Sequence, residues 1–203
     1  GFFAEGGTKP ELQTRIVRNV ALRTIMYLLG AYPGLETTVG NPTAPVTIIL
    51  YSSFDCEGCT SFNNNLLPKI MSTYISTNRA KLVIRDFPTS TGSFEAAVLS
   101  HCVPAKFYLG IYGDLMNTEV GSNFNAVVDE VGGKYGVDRA AYEACTKDQV
   151  IIDGLVASQT EFEKLKWARI PAIIINGEEF TGDFYMEDIE ELISEVSSAP
   201  HPG

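Results

Sequence analysis

Long apolar runs are missing from this chain of 203 residues. No stretch approaches the roughly 18 apolar residues that a spanning helix needs, so no segment is expected to cross a bilayer as a helix. Basic clusters are missing too: 15 Lys and Arg stand against 25 Asp and Glu, a net charge of −10. Nucleic acid is therefore not an expected partner. Histidine is scarce, with His101 and His201 the two in the chain. Neither a second CxxC nor an HxxxH follows the first cysteine pair, so the ligand spacing of a structural zinc site is not completed. Internal repeats and low-complexity tracts are absent as well.

What is present suits one moderate domain, or one domain with an insertion, built on a sizeable core: 45% of the residues are hydrophobic. Four cysteines fit two disulfides in an oxidising compartment, although a cytosolic protein could hold four thiols. The chain opens Gly1-Phe2-Phe3-Ala4 without methionine. A processed or engineered start is expected, with an upstream signal peptide removed.

The most informative feature is Cys56-Glu57-Gly58-Cys59, placed directly after the apolar run Val46-Thr47-Ile48-Ile49-Leu50-Tyr51. The run reads as a buried strand, entered through the breaker-rich Gly40-Asn41-Pro42-Thr43-Ala44-Pro45. Thr60 to Tyr74 can form a helix, so the cysteines lie where a strand hands over to a helix. At a helix N-terminus the unpaired N–H groups and the dipole favour an anion, which stabilises a Cys56 thiolate. A thiolate with a second thiol one turn away can exchange disulfides. A zinc site or a purely structural disulfide are the alternatives. A disulfide closing so small a loop adds little, because the chain-entropy effect grows with loop length.

Along the chain, Lys9-Pro10-Glu11 to about Leu29 reads as a helix, ended by Gly30, Pro33 and Gly34. Leu12, Ile16 and Val20 cover one side of it, either against its own domain or in an oligomer. Ala80 to Phe87 reads as a second strand, stopped by Pro88. Ser93 to about Ala144 has helical spacing broken by Gly110, Gly113, Gly121 and Gly132-Gly133, and Glu143 to Trp167 continues as helix. Ala172 to Phe180 is strand, Asn176-Gly177 turn and strand, a hairpin signal. Glu187 to Val196 closes as an amphipathic helix carrying Ile189, Leu192 and Ile193. Strands alternating with helices predict an α/β fold with a mixed sheet.

Three of these features coincide: the strand running into the CxxC, a proline just before a strand (Arg169-Ile170-Pro171-Ala172-Ile173), and the Ile175-Asn176-Gly177 hairpin. Together they resemble the thioredoxin fold, and specifically the DsbA family of bacterial thiol:disulfide oxidoreductases. The lead-in Val39-Gly40-Asn41-Pro42-Thr43-Ala44-Pro45-Val46 and the segment Tyr142-Glu143-Ala144-Cys145 are similar as well. The resemblance implies a thioredoxin fold with a helical insertion and an N-terminal helical extension. It divides the chain into an extension at 1–36 that could serve oligomerisation, a first half at 37–92, the insertion at 93–147 and a second half at 148–203.

The resemblance further implies that Pro171 is a cis-proline set against Cys56 and that the backbone of Ile170 pairs with a substrate chain. Cys56 and Cys59 would be catalytic, with Pro171; Ile170, Glu57 and Gly58 would border the substrate. Cys102 and Cys145 resemble a second cysteine pair of some relatives. Bridged, they would close a loop of about 44 residues, worth roughly 4 kcal/mol on the chain-entropy model; unpaired, they would be two buried thiols. No dissociable cofactor and no metal is implied. Partners would be unfolded or partly folded secreted proteins and a membrane redox partner, in a bacterial periplasm or otherwise outside the cytoplasm, with a homo-oligomer possible.

Two departures from the family bear on mechanism. Strongly oxidising relatives carry proline and histidine between the cysteines, where this chain has Glu57-Gly58. A carboxylate repels the thiolate, and Asp55 adds the same sign, so a less depressed Cys56 pKa and a weaker oxidant or an isomerase are expected. The buried acid found six residues before the first cysteine in many thioredoxin-fold enzymes is here Leu50. Another acid or water would have to serve. The rival reading is a non-enzymatic copper or zinc carrier on the same fold, which in that class uses CxxxC and a distant histidine. His101 is expected as a partly buried helix residue, His201 in a disordered tail and Trp167 in packing. The Asn63-Asn64-Asn65 run sits in a predicted helix although asparagine is a middling-to-poor helix former.

Overall fold

The computed structural model describes residues 32–166, 168–181 and 185–198. In chain order these form β1 (Glu36–Val39), β2 (Val46–Ser52), α1 (Glu57–Asn65), α2 (Leu67–Ile70), which runs into a π-helical turn (Met71–Ile75), and β3 (Ala80–Asp86). Then come α3 (Thr91–Ser100), α4 (Tyr108–Met116), α5 (Phe124–Val127), α6 (Arg139–Thr146) and α7 (Gln149–Glu163), followed by β4 (Ala172–Ile175), β5 (Glu178–Thr181) and α8 (Met186–Ser198). The strands make one mixed sheet in the order β1-β3-β2-β4-β5. β2 runs parallel to β3 and antiparallel to β4. The predicted α/β architecture with a helical block between the sheet halves is the one observed.

The central position of β2 explains its composition. A strand paired on both edges and covered on both faces has no polar side, so it reads as a continuous apolar run. Alternate residues serve different cores. Ile48 and Leu50 join Leu82, Ile84, Ile173 and Ile175 in the larger core, with Cys59, Phe62 and residues of the insertion helices. Tyr51 joins Ala172, Ile174 and Phe162 in a smaller core on α7. Ile189 and Ile193, the periodic residues of the closing helix, are each 1% exposed.

Several boundaries differ from the sequence-based expectation. β1 was not anticipated: Glu-Thr-Thr-Val is short, polar and at the sheet edge, and its pairing with β3 comes from tertiary contact. The domain boundary placed at residue 36 falls inside this strand. Just before it, Tyr32 lies under the Arg85 guanidinium at 3.6 Å, and the Leu35 N–H donates to Ser158 Oγ at 3.0 Å. The helix expected over residues 9–29 lies outside the described residues, as do Trp167 and His201. The continuous helix expected from Glu143 breaks at Asp148, whose carboxylate accepts the Val150 N–H at 2.9 Å and starts α7. Gly110 and Gly113 lie within α4 rather than breaking it. At Gly110 the requirement is space, since a Cβ there would meet the Tyr135 hydroxyl at 2.9 Å. The Asn176-Gly177 turn is present with positive φ at both residues, and Asn176 also accepts the Thr47 N–H through its side chain at 2.9 Å, fastening the hairpin to the start of β2.

Two cross-links hold the insertion to the sheet and to itself. Cys102 at the end of α3 is bonded to Cys145 in α6, across a sequence separation of 43. Next to it, His101 Nε2 lies 2.8 Å from the carboxylate of Asp86, the last residue of β3. The two side chains are 11% and 4% exposed, so each supplies the polar partner that burial denies the other.

Breaking these links should have separable effects. Cys102→Ser is expected to remove up to about 4 kcal/mol of chain-entropy stabilisation, lowering Tm by roughly 10 °C for a chain of this size. Calorimetry checks it; an unchanged Tm would show that the Cys102–Cys145 bond does not stabilise the fold. His101→Leu strands a buried carboxylate and should cost about 3 kcal/mol. Adding Asp86→Leu should recover much of that loss. A double variant as unstable as the sum of the singles would show that the pair does not stabilise the fold.

Candidate functional site

Cys56 is the N-cap of α1. Its backbone is extended (φ −150°, ψ 112°), and its Sγ accepts the N–H of Cys59 at 3.2 Å. The sulfur thus occupies the place normally taken by a Ser or Asp oxygen, facing the positive end of the helix. Cys59 is 1% exposed and belongs to the larger core, whereas Cys56 is half-buried. The two are bonded to each other. Within the pair Cys56 is the half-buried residue and Cys59 the buried one.

The sheet register delivers the rest of the site. β4 is antiparallel to β2 with Tyr51 opposite Ala172, so the residue that begins β4 sits beside the end of β2. Pro171, joined to Ile170 by a cis peptide bond, therefore reaches the CxxC. A Cβ on Gly58 would stand 3.3 Å from Pro171 Cδ, tighter than an ordinary contact. Glycine here lets the proline loop approach α1 closely. Gly58, Ile170 and Pro171 line one cavity of about 740 Å³ with Phe62.

α1 is anchored on its other side to the insertion. Thr60 Oγ1 donates to the Met116 carbonyl at 3.1 Å, and the side chains of Asn64 and Asn117 exchange two hydrogen bonds at 2.8 and 3.0 Å. The asparagine run, which the sequence left unexplained, includes a clamp between the CxxC helix and the end of α4. Phe54, two residues before Cys56, is held edge-on against Tyr112 with ring centroids 5.2 Å apart. Burial pushes the Tyr112 phenol well above its ordinary pKa, so it stays neutral beside the site.

The charged groups next to Cys56 in the chain are acidic. Asp55 and Glu57 flank Cys56 and are both exposed. Leu50, where an acid would stand in many thioredoxin-fold enzymes, is 2% exposed in β2, between Ile84 and Ile173. Among the described residues the buried carboxylate is Asp86, in register with Ser52 at the same end of the sheet and turned to His101. His101, the histidine a distant-ligand metal module would require, is thus already bonded. Among the described residues no three His, Cys, Asp or Glu side chains are grouped as a metal site.

A family model described as Thioredoxin matches residues 34–195. A protein of Rickettsia bellii, provisionally named protein-disulfide oxidoreductase, is 22% identical over 148 residues, covering 70% of this chain and 57% of its own length. The chain spans 57–61% of the length of the curated relatives it matches. Among solved structures, Wolbachia pipientis alpha-DsbA1 superposes with a TM-score of 0.71 at 24% identity, covering 79% of this chain and 90% of that one. Chlamydia trachomatis DsbA gives 0.69 at 18% identity, with the same coverage. These structures share the fold, and with the family model matched over residues 34–195, this chain belongs to the thioredoxin family.

Proposed function

We propose that this chain is a thiol:disulfide oxidoreductase that acts on secreted polypeptides outside the cytoplasm. The observation that carries the reading is the asymmetry of the CxxC: a half-buried Cys56 whose Sγ caps α1, bonded to a Cys59 that is 1% exposed. Relatives carrying the name protein-disulfide oxidoreductase, and DsbA proteins of the same fold, support it.

In the oxidising direction a substrate thiolate attacks Cys56 Sγ, and the electron pair of the Cys56–Cys59 bond leaves on Cys59. A second substrate thiolate then attacks the substrate sulfur of the mixed disulfide and expels Cys56 as thiolate. The substrate loses two electrons and gains a disulfide, and the CxxC becomes a dithiol. Run backwards, Cys56 thiolate attacks a substrate disulfide and Cys59 resolves the mixed species. Pro171 offers no N–H toward the sulfurs, and Ile170 borders the groove where the substrate backbone lies. Glu57 and Gly58 form the rim between the cysteines. A membrane redox partner would reset the oxidised state.

Electrostatics set the direction. The helix N-terminus and the Cys59 N–H favour the Cys56 thiolate, a contribution of about 0.3–1 kcal/mol for an exposed dipole interaction. Asp55 and Glu57 oppose it with the same order of magnitude. With no imidazole between the cysteines, the reduced form gains little, which suits isomerisation or weak oxidation.

In mildly reduced protein at neutral pH, iodoacetamide should label Cys56 first; mass mapping that finds Cys59 labelled first would reverse the roles. Cys56→Ser is expected to abolish insulin reduction, and retained turnover would end the oxidoreductase reading. Glu57→Gln removes a repulsive charge without pressing on Pro171. It should make the site more oxidising by about 10–20 mV, given that 30 mV corresponds to about 1.4 kcal/mol for two electrons. A glutathione equilibrium showing an unchanged or lower potential would refute the electrostatic account.

A further inference from the structure

Among the described residues, nearly every Lys and Arg side chain is engaged. Arg85 meets Glu36, Arg139 meets Asp129, and Lys134, Lys147 and Lys164 meet Asp114, Glu143 and Glu161. Lys81 reaches the Pro42 carbonyl, Arg79 and Lys106 lie over aromatic rings, and Lys166 is not free either. In a chain with 25 acidic and 15 basic residues such pairing is expected. Two cations, Lys69 and Arg169, have no such partner, and both line the cavity beside Gly58 and Pro171. Lys69 comes from α2, and Arg169 immediately precedes Ile170, so the two arrive from separate segments. Both are exposed.

We infer that this groove selects extended polypeptide segments that carry a carboxylate next to the reactive cysteine, with Lys69 and Arg169 as the specificity-determining residues. The inference rests on the oxidoreductase reading and adds the substrate class. Glu187 lines the same cavity and offsets one cation, and Asp55 and Glu57 lie beside Cys56, outside the cavity's lining. Among its described lining residues the groove carries two cations and one carboxylate, on a protein of net charge −10. At about 0.1 M salt the screening length is roughly 10 Å, so the repulsion of the distant acidic surface is largely removed while contacts within the groove persist. Tyr185, which is 66% exposed on the same cavity, adds an apolar ledge for a neighbouring side chain.

The test uses the oxidised full chain and two reduced cysteine peptides, identical except for Glu or Lys on both sides of the cysteine. Each rate of mixed-disulfide formation is divided by the same peptide's rate with hydroxyethyl disulfide, which removes the effect of neighbours on thiol reactivity. The Glu peptide should react about fivefold faster at 0.1 M salt, the scale of two exposed ion pairs. That ratio should collapse near 1 M salt, where screening reaches roughly 3 Å. Lys69→Glu with Arg169→Glu should bring the ratio to one or below, and Glu187→Gln should raise it. A wild-type ratio of one, or a ratio unchanged by the double charge reversal, overturns the inference while leaving the oxidoreductase reading intact. If neither peptide exchanges at all, the oxidoreductase reading falls and takes this one with it.

Discussion

The site depends on the pairing of β2 with two neighbours of opposite sense. A parallel partner brings its C-terminal end to the end of β2, and an antiparallel partner brings its beginning there. Ser52 therefore faces Asp86 of β3, while Tyr51 faces Ala172 of β4. Pro171 and Cys56 are 115 positions apart in the sequence, yet the register leaves them no other place than beside each other. A one-residue slip of β4 would turn Ile173 and Ile175 out of the larger core, so the burial of those side chains also fixes the position of the proline. The geometry of the disulfide site is thus held by hydrophobic burial in the sheet.

Against that frame, α1 is clamped from two directions. The proline loop closes on Gly58, and Thr60 and Asn64 bond to the end of α4. The Cys102–Cys145 bond and the Asp86–His101 pair in turn hold the insertion together and to β3. Exchange chemistry needs one sulfur that a substrate can reach and one that it cannot. Holding a short helix on both sides keeps Cys59 in the core while leaving Cys56 at the surface.

The elements that follow from local physics were legible in the sequence. The apolar run of β2, the Asn-Gly hairpin, the spacing of Ile189 and Ile193 and the strand-to-helix position of Cys56 all appear where their patterns put them. The features that were missed are those made by tertiary contact. β1 carries no apolar signature because an edge strand needs little. Gly110 looked like a helix break, yet its role is to admit the Tyr135 ring. The Asp86–His101 pair joins residues 15 apart through a turn and a helix, and no spacing rule announces it. Lys69 and Arg169 share a cavity only after α2 and the proline loop are in place. The cis-proline and the second cysteine pair came from family resemblance, and neither could have been derived from composition or periodicity.

The acidity of the chain and the basic groove concern different distances. A net charge of −10 acts over the whole surface and is reduced by salt within about a nanometre. It does not by itself decide what touches the disulfide. At contact range the deciding groups are few: Asp55 and Glu57 act on the thiolate, and Lys69, Arg169 and Glu187 act on whatever lies in the groove. On the proposed reading, the first set governs how oxidising the pair is, the second which chain is held long enough to react. On that reading the two sets sit on different segments, so each can be substituted separately, and the glutathione equilibrium and the peptide ratio report on them by different observables.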